Sequence, residues 1–163
     1  MHLRTATAED GPHITALLQR CYPVLMASAY EPVALAAALP LMTRANPALL
    51  ATGTYYVVEQ QGKIVGAGGW TRDKPGGGGI DGQTGHIRHF ATDPDHVRQR
   101  IGRALIERCL ADAREAGLSQ MECFASLNAV AFYAASGFEP LGPLDIRIGG
   151  TVPLPSLHMR RRL

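Results

Sequence analysis

The sequence predicts a single α/β domain, and three observations carry that expectation. Its 163 residues fit the roughly 100–200 of an ordinary domain and can bury a core without metal or disulfide staples. Segments of strand and helix period follow one another as β-α-α-β-β-β-α-β-α-β-β, with no internal repeat and no linker. Between His86 and Phe124 a strand, a long helix and a second strand form a crossover, which makes those strands parallel and the connection right-handed.

His2–Ala6 reads as the first strand. Thr7 caps the next helix, Asp10 completes a capping box, and Ile14, Leu17, Leu18 and Cys21 form the apolar stripe that Pro23 closes. Glu31-Pro32 opens an Ala-rich helix that Pro40 ends. Tyr55–Gln60 and Lys63–Thr71 are strands joined by the tight turn Gln61-Gly62, a β-hairpin. Asp73–Gly85 is a loop. The strand His86–Thr92 leads through Asp93-Pro94-Asp95 into a helix from about Val97 to Ala116, with Gly117 as its stop. On it Ile101, Leu105, Ile106, Cys109 and Ala113 share one face. Gln120–Phe124 is a strand and Asn128–Ala135 a short helix; Glu139–Ile146 and Leu157–Arg161 are the last strands.

Composition excludes several classes. With 46% hydrophobic residues, 18% charged residues and a net charge of +2, the chain is neither disordered nor a binder of nucleic acid through bulk charge. Three widely spaced cysteines without a C-x-x-C exclude a disulfide scaffold and the usual zinc spacings, and suit a reducing compartment. No apolar run approaches the ~20 residues of a membrane span, and MHLRTATAEDG lacks the apolar core of a signal peptide. The expectation is a cytoplasmic protein with no metal and no membrane partner. Neither G-x-S-x-G, H-E-x-x-H nor a P-loop is present. Gly77–Gly82 formally matches G-x-G-x-x-G, but a strand follows where a dinucleotide site needs a helix, so it reads as a flexible loop, a mobile rim at most.

The crossover carries the chemistry. It sets a helix N-terminus at the carboxyl end of a strand, where free N–H groups and the helix dipole favour an anion. Arg98, Arg100 and Arg103 crowd that turn, against the dipole. A bound anion explains them; so does a solvated face of three arginines.

HIRHFATDPDHVRQRIGRAL, residues 86–105, and SLNAVAFYAASGF, residues 126–138, together resemble the two signatures of the GNAT N-acetyltransferase superfamily, and the order of elements matches along nearly the whole chain. The resemblance implies a mixed, mostly antiparallel sheet with two splayed parallel central strands, flanked by helices. It implies direct transfer of an acetyl group from acetyl-CoA, as co-substrate, to a primary amine in a ternary complex, with no metal. The pyrophosphate would lie on backbone N–H groups from Arg98 through Gln99, Arg100, Ile101, Gly102 and Arg103 to Ala104. Pantetheine would follow Phe90, Ala91 and Thr92, where a backbone N–H polarises the thioester carbonyl. The motif departs from the family at two places: Val97 stands where Gln or Arg is usual, and Arg100 where the first glycine is usual. The side chains of Arg98 and Arg100 would then bind the phosphates.

By the same resemblance Tyr133 is the general acid that protonates the departing thiolate; the plain alternative is a packing aromatic. Phe132 and Phe138 read as core. Asn128 would cap its short helix or touch the pantetheine. His86, sixteen residues before Gly102, stands where several family members place a glutamate base, and imidazole suits that task; a water relay is the alternative, and a lone strand histidine is also an ordinary core residue. Strict alternation would place His86, Arg88 and Phe90 on one face, Ile87 and His89 on the other.

The acceptor is open between a small-molecule amine, an amino acid and a peptide terminus, with Tyr22, Tyr30, Trp70 and Arg72 as candidate lining. A homodimer through the last strands is a candidate assembly. Two other readings compete: a non-catalytic acyl-CoA sensor with a degenerate phosphate loop, and a nucleic-acid-binding domain built on Arg98, Arg100, Arg103 and the Arg160–Arg162 run, whose affinity would fall steeply with salt.

Overall fold

In the computed structural model, which describes residues 1–163, strands β1 (His2–Thr5), β2 (Tyr55–Gln60), β3 (Lys63–Thr71), β4 (Thr84–Thr92), β5 (Gln120–Ser126), β6 (Glu139–Ile148) and β7 (Val152–Arg162) form one sheet. Its order is β1-β2-β3-β4-β5-β7-β6. All neighbours are antiparallel except β4 and β5, the pair joined by the crossover. Helices α1 (Gly11–Leu25), α2 (Pro32–Met42) and α3 (Pro47–Leu50) lie on one face, and α4 (Ile101–Glu115) and α5 (Val130–Ala135) on the other. This is the mostly antiparallel α/β sheet that the sequence led us to expect.

Each face has its own core. Ile101, Leu105, Ile106, Cys109, Leu110 and Ala113 of α4 pack on Tyr56, Val58, Val65 and Ile87, with Met121 and Cys123 of β5. On the other face Ile14, Leu17, Leu18 and Cys21 of α1 meet Tyr55, Val57, Ala67 and Ala91. Each buried Leu or Ile contributes about 1.5–3 kcal/mol, so the two stripes legible in the sequence hold the helices to the sheet. All three thiols are free and buried, and burial raises Cys21 to about 11 and Cys123 to about 12.

Several boundaries differ from the sequence reading. Pro23 and Pro40 do not end their helices; each lies inside the last turn. A proline removes only its own N–H, so the residues after it still donate, as Met26 N does to Tyr22 O at 3.0 Å. The four-residue α3 was not foreseen; Asn46 caps it by accepting from Ala48 N at 3.0 Å, with Pro47 in its first position. α4 starts at Ile101 rather than near Val97. β7 begins five residues before Leu157, because the glycine turn at Gly149-Gly150, both at positive φ, lets the last two strands pair along a long arm.

Asp10 ties the N-terminus together. Its carboxylate receives both terminal nitrogens of Arg4 at 2.8 Å and the Thr7 N–H at 2.7 Å. The Arg4 contact, offset in part by burial, holds it at about 2 instead of 3.8. A depressed carboxyl stabilises the fold above its unfolded pKa and loses that contribution as pH falls through its folded one. Asp10→Asn should therefore cost about 1–2 kcal/mol at neutral pH, with the deficit closing between pH 4 and 2. Urea titrations at pH 7 and pH 2.5 check this; a deficit unchanged at pH 2.5 would remove the ionic account.

Candidate active site

β4 and β5 pair only over Thr84–His86 and Gln120–Glu122. Beyond that β4 runs on to Thr92 and β5 to Ser126, so the sheet opens into a cleft with unpaired backbone along the facing edges. Inside it β4 carries a bulge. Gly69 pairs with Arg88 and Ala67 with Ala91, so His89 and Phe90 stand against the single residue Gly68, and His89 takes a left-handed φ of 48°. The Tyr55 hydroxyl donates to His89 O at 2.8 Å and the Tyr22 hydroxyl to Phe90 O at 3.1 Å, holding both bulge carbonyls from the α1 side. Gly68 is required opposite: a Cβ there would lie 2.4 Å from the Phe90 ring.

The bulge overturns the expected alternation. Phe90 turns to the α4–α5 face with Ile87, where its ring lies 6.2 Å from Phe132 and 6.3 Å from Tyr133. His89 turns to the α1 face, against Ile14, Leu49, Leu50 and Tyr55; burial lowers its pKa to about 4 and keeps it neutral.

The turn before α4 opens beside the carboxyl end of β4. Val97, Arg98, Gln99 and Arg100 are exposed. Arg98 and Arg100 both adopt left-handed φ, 66° and 63°, so Arg100 holds the kind of backbone conformation in which glycine is relaxed. Such conformations among successive N–H groups form an anion-binding concavity, continued by the free N–H groups of Ile101, Gly102 and Arg103 in the first turn of α4. The Ile101 side chain is buried in the core, leaving its N–H for the site. Gly102 lets Phe132 approach, since a Cβ would meet that ring at 3.0 Å. Ala104 is half-buried behind it, and its N–H donates to Arg100 O at 2.9 Å, so it drops out of the expected pyrophosphate donors. Arg103 is an ordinary helix-surface pair, 2.8 Å from Glu107, whereas Arg98 and Arg100 have no carboxylate partner.

Tyr133 and His86 lie on opposite faces of the sheet, His86 in the last paired position of β4 with β5. Tyr133 packs among Phe90, Phe132 and Phe138; burial foremost, then Cys123 and Tyr22, raise its pKa well above 10. His86 is 7% exposed on the α1 face. Burial lowers its pKa, opposed by Glu122 and Asp81 and aided by Lys74 and Arg88. Ala91 lies in the α1-side core and Thr92 is half-buried at the end of the strand. Asn128 caps nothing: it is exposed within a 3₁₀ turn, and α5 begins two residues later without a side-chain cap.

Of the candidate acceptor residues, Trp70 belongs to the α4-side core and Arg72 donates to Ala116 O at 3.2 Å, so neither faces the α1 side of the cleft. Tyr30 pins the α1–α2 connection, donating to Pro155 O at 2.7 Å and accepting from Leu127 N at 2.9 Å. Sequence reasoning missed the pairing of Glu122 with the His158 ring. Alternation on β5 and β7 puts both on the α1 face, but their register follows only from knowing that β7, not β6, lies beside β5.

A family model described as the acetyltransferase (GNAT) family matches residues 12–138. Among solved structures, a GCN5-related N-acetyltransferase from Rhodopseudomonas palustris superposes with a TM-score of 0.79 at 24% identity, covering 99% of this chain and 95% of that one. The PaiA N-acetyltransferase of Thermoplasma acidophilum, in complex with coenzyme A, gives 0.75 at 12% identity, over 99% and 98% of the two chains. A ribosomal-protein-alanine N-acetyltransferase from Brucella melitensis gives 0.66 at 20%, over the full length of both. At these identities the likeness is one of fold. No curated protein sequence matches significantly.

Left-handed φ costs a side-chain-bearing residue about 1 kcal/mol. Arg100→Gly should therefore stabilise the protein by about 0.5–1 kcal/mol in urea titrations. A loss of stability would show that Arg100 is held by contacts and not strained.

Proposed function

Because the chain belongs to the GNAT acetyltransferase family, an acyltransferase family, we propose that it transfers the acetyl group of acetyl-CoA directly to a primary amine at the β4–β5 cleft. The observation that carries this reading is the conjunction of a sheet opened after His86, a bulge in β4 and an exposed, left-handed turn leading into α4, all at one end of the sheet. The pyrophosphate would be held by the N–H groups from Arg98 to Arg103, supplemented by the Arg98 and Arg100 guanidiniums. Pantetheine would run along Phe90–Thr92, replacing the missing strand pairing, and bring the thioester to the bulge.

In this reading a neutral amine attacks the thioester carbonyl from the α1 side. The N–C bond forms as the C–S bond breaks, and a bulge N–H holds the oxyanion. The amine proton passes to His86, directly or through water, while the Tyr133 hydroxyl proton goes to the coenzyme A thiolate. Exchange with solvent resets both groups. The environments support those roles: the raised Tyr133 remains a proton donor at neutral pH, and the lowered His86 remains unprotonated and able to accept. No sensor role is needed to explain Arg100, whose backbone keeps a conformation suited to glycine.

Tyr133→Phe should lower turnover about 10²–10⁴-fold with acetyl-CoA affinity, read by calorimetry, unchanged; full turnover would remove Tyr133 as the acid. In His86→Ala the acidic limb of the rate profile should disappear, since wild-type activity falls as pH drops through the His86 pKa. A limb that persists would assign the proton to water or to another group.

A further inference from the structure

The face of the sheet toward α1 carries a strip of polar side chains that the steps above leave mostly unused. Register sets His86 of β4 beside Glu122 of β5, and Glu122 beside Arg160 of β7; two residues further along β4 and β5 stand Arg88 and Phe124, with His158 of β7 opposite Phe124. The Phe124 and His158 rings meet edge to face at 5.2 Å. From the glycine-rich loop, Lys74 reaches back to place Nζ 5.8 Å from the centre of the Phe124 ring.

Two carboxylates of this strip, Glu122 and Asp81, are fully engaged, while of its cations only Arg88 has an ion pair, a long one to Asp73. Glu122 is bonded to the His158 ring. Asp81 accepts from Gln83 N, Thr84 N and Thr84 Oγ1, each at 2.8 Å. Asp73, 60% exposed, stands 3.8 Å from Arg88, too far to hydrogen-bond. The Arg88 side chain is only 16% exposed, yet its one hydrogen bond is Nη1 to Thr71 Oγ1 at 3.0 Å, and a guanidinium has about five N–H donors to satisfy. Lys74 and Arg160 form no ion pair. A half-buried cation with most of its donors unused is a receptor for a charged acceptor group.

We propose that this strip is the acceptor site and that the acceptor is a primary amine bearing a carboxylate, held by Arg88 and Lys74 beside the Phe124 ring. The inference rests on acetyl transfer to an amine as proposed above. Carboxylate binding would place the amine at the opening between β4 and β5, next to His86. The same cations repel a second ammonium, which selects against polyamines.

The test reads binding, not turnover. Protein loaded with coenzyme A is titrated calorimetrically with matched products that differ only by the carboxylate. The pairs are N-acetylglycine against N-methylacetamide, N-acetyl-β-alanine against N-ethylacetamide, and N-acetyl-L-phenylalanine against N-acetylphenethylamine. In at least one pair the acid should bind about tenfold or more tightly. Arg88→Gln and the exposed-loop variant Lys74→Gln should each erode that preference while coenzyme A affinity holds. Equal or stronger binding of the neutral partners, no binding of either at 10 mM ligand (about 1 mM being the weakest affinity of interest), or a preference intact in both variants would overturn it. Release of thiol from acetyl-CoA with spermidine or phenethylamine, but with no amino acid, would sink the acceptor inference and leave acetyl transfer standing. Failure to bind acetyl-CoA would sink both.

Discussion

At His89 the register of β4 against β3 slips by one residue, and the walls of the cleft follow from that slip. Without it, strand alternation would direct Phe90 toward α1 and leave Tyr133 without its aromatic neighbour across the cleft. With it, the strand presents Ile87 and Phe90 to the α4–α5 side and Arg88 and His89 to the α1 side. A bulge held only by a left-handed histidine would cost on the order of 1–3 kcal/mol. Three neighbours stabilise it: Gly68 makes room for the Phe90 ring, and the Tyr22 and Tyr55 hydroxyls take the two carbonyls. The helix α1 thus does more than cover a core, since Tyr22 in its last turns fixes the shape of the cleft from behind.

Burial acts on the two proposed proton-transfer groups in opposite directions with one result. It raises the phenol of Tyr133 and lowers the imidazole of His86, so both are uncharged at neutral pH. In the proposed transfer the two groups would need no direct contact, since the substrate atoms would lie between them where the strands open. The charged groups around them are Arg98 and Arg100 at the exposed α4 turn, and Arg88, Lys74 and Glu122 on the α1 face.

Much of this was legible in the sequence, where periodicity was strong. The α1 and α4 stripes, the Gln61-Gly62 hairpin and the crossover all follow from local pattern, and the crossover alone dictates one parallel pair. The place of the candidate site in the fold was legible too, since a helix N-terminus at the end of a strand and the two motif segments mark it. What escaped was non-local. The bulge depends on Gly68 of one strand meeting His89 and Phe90 of another, and alternation counted along β4 alone cannot register it. Asn128 has the chemistry of a cap, but the chain makes a 3₁₀ turn before α5, so the helix starts beyond its reach. The Glu122–His158 pair and the Arg88 strip depend on β7 inserting between β5 and β6, an order that the succession of elements leaves undetermined.

The three buried thiols divide between the two layers, Cys21 under α1 and Cys109 and Cys123 under α4 and α5. None is exposed, and burial raises the pKa of each, so thiolate is scarce in the folded protein. Alkylation can then proceed only as fast as the covering helices lift. Peptide-resolved labelling rates become two clocks within one molecule, one timing the opening of the layer behind Tyr22 and the other that behind Tyr133. A thiol reagent that inactivates this protein does so as a report on breathing of its cores, and the order in which the cysteines are modified gives the order in which the two faces of the sheet come apart.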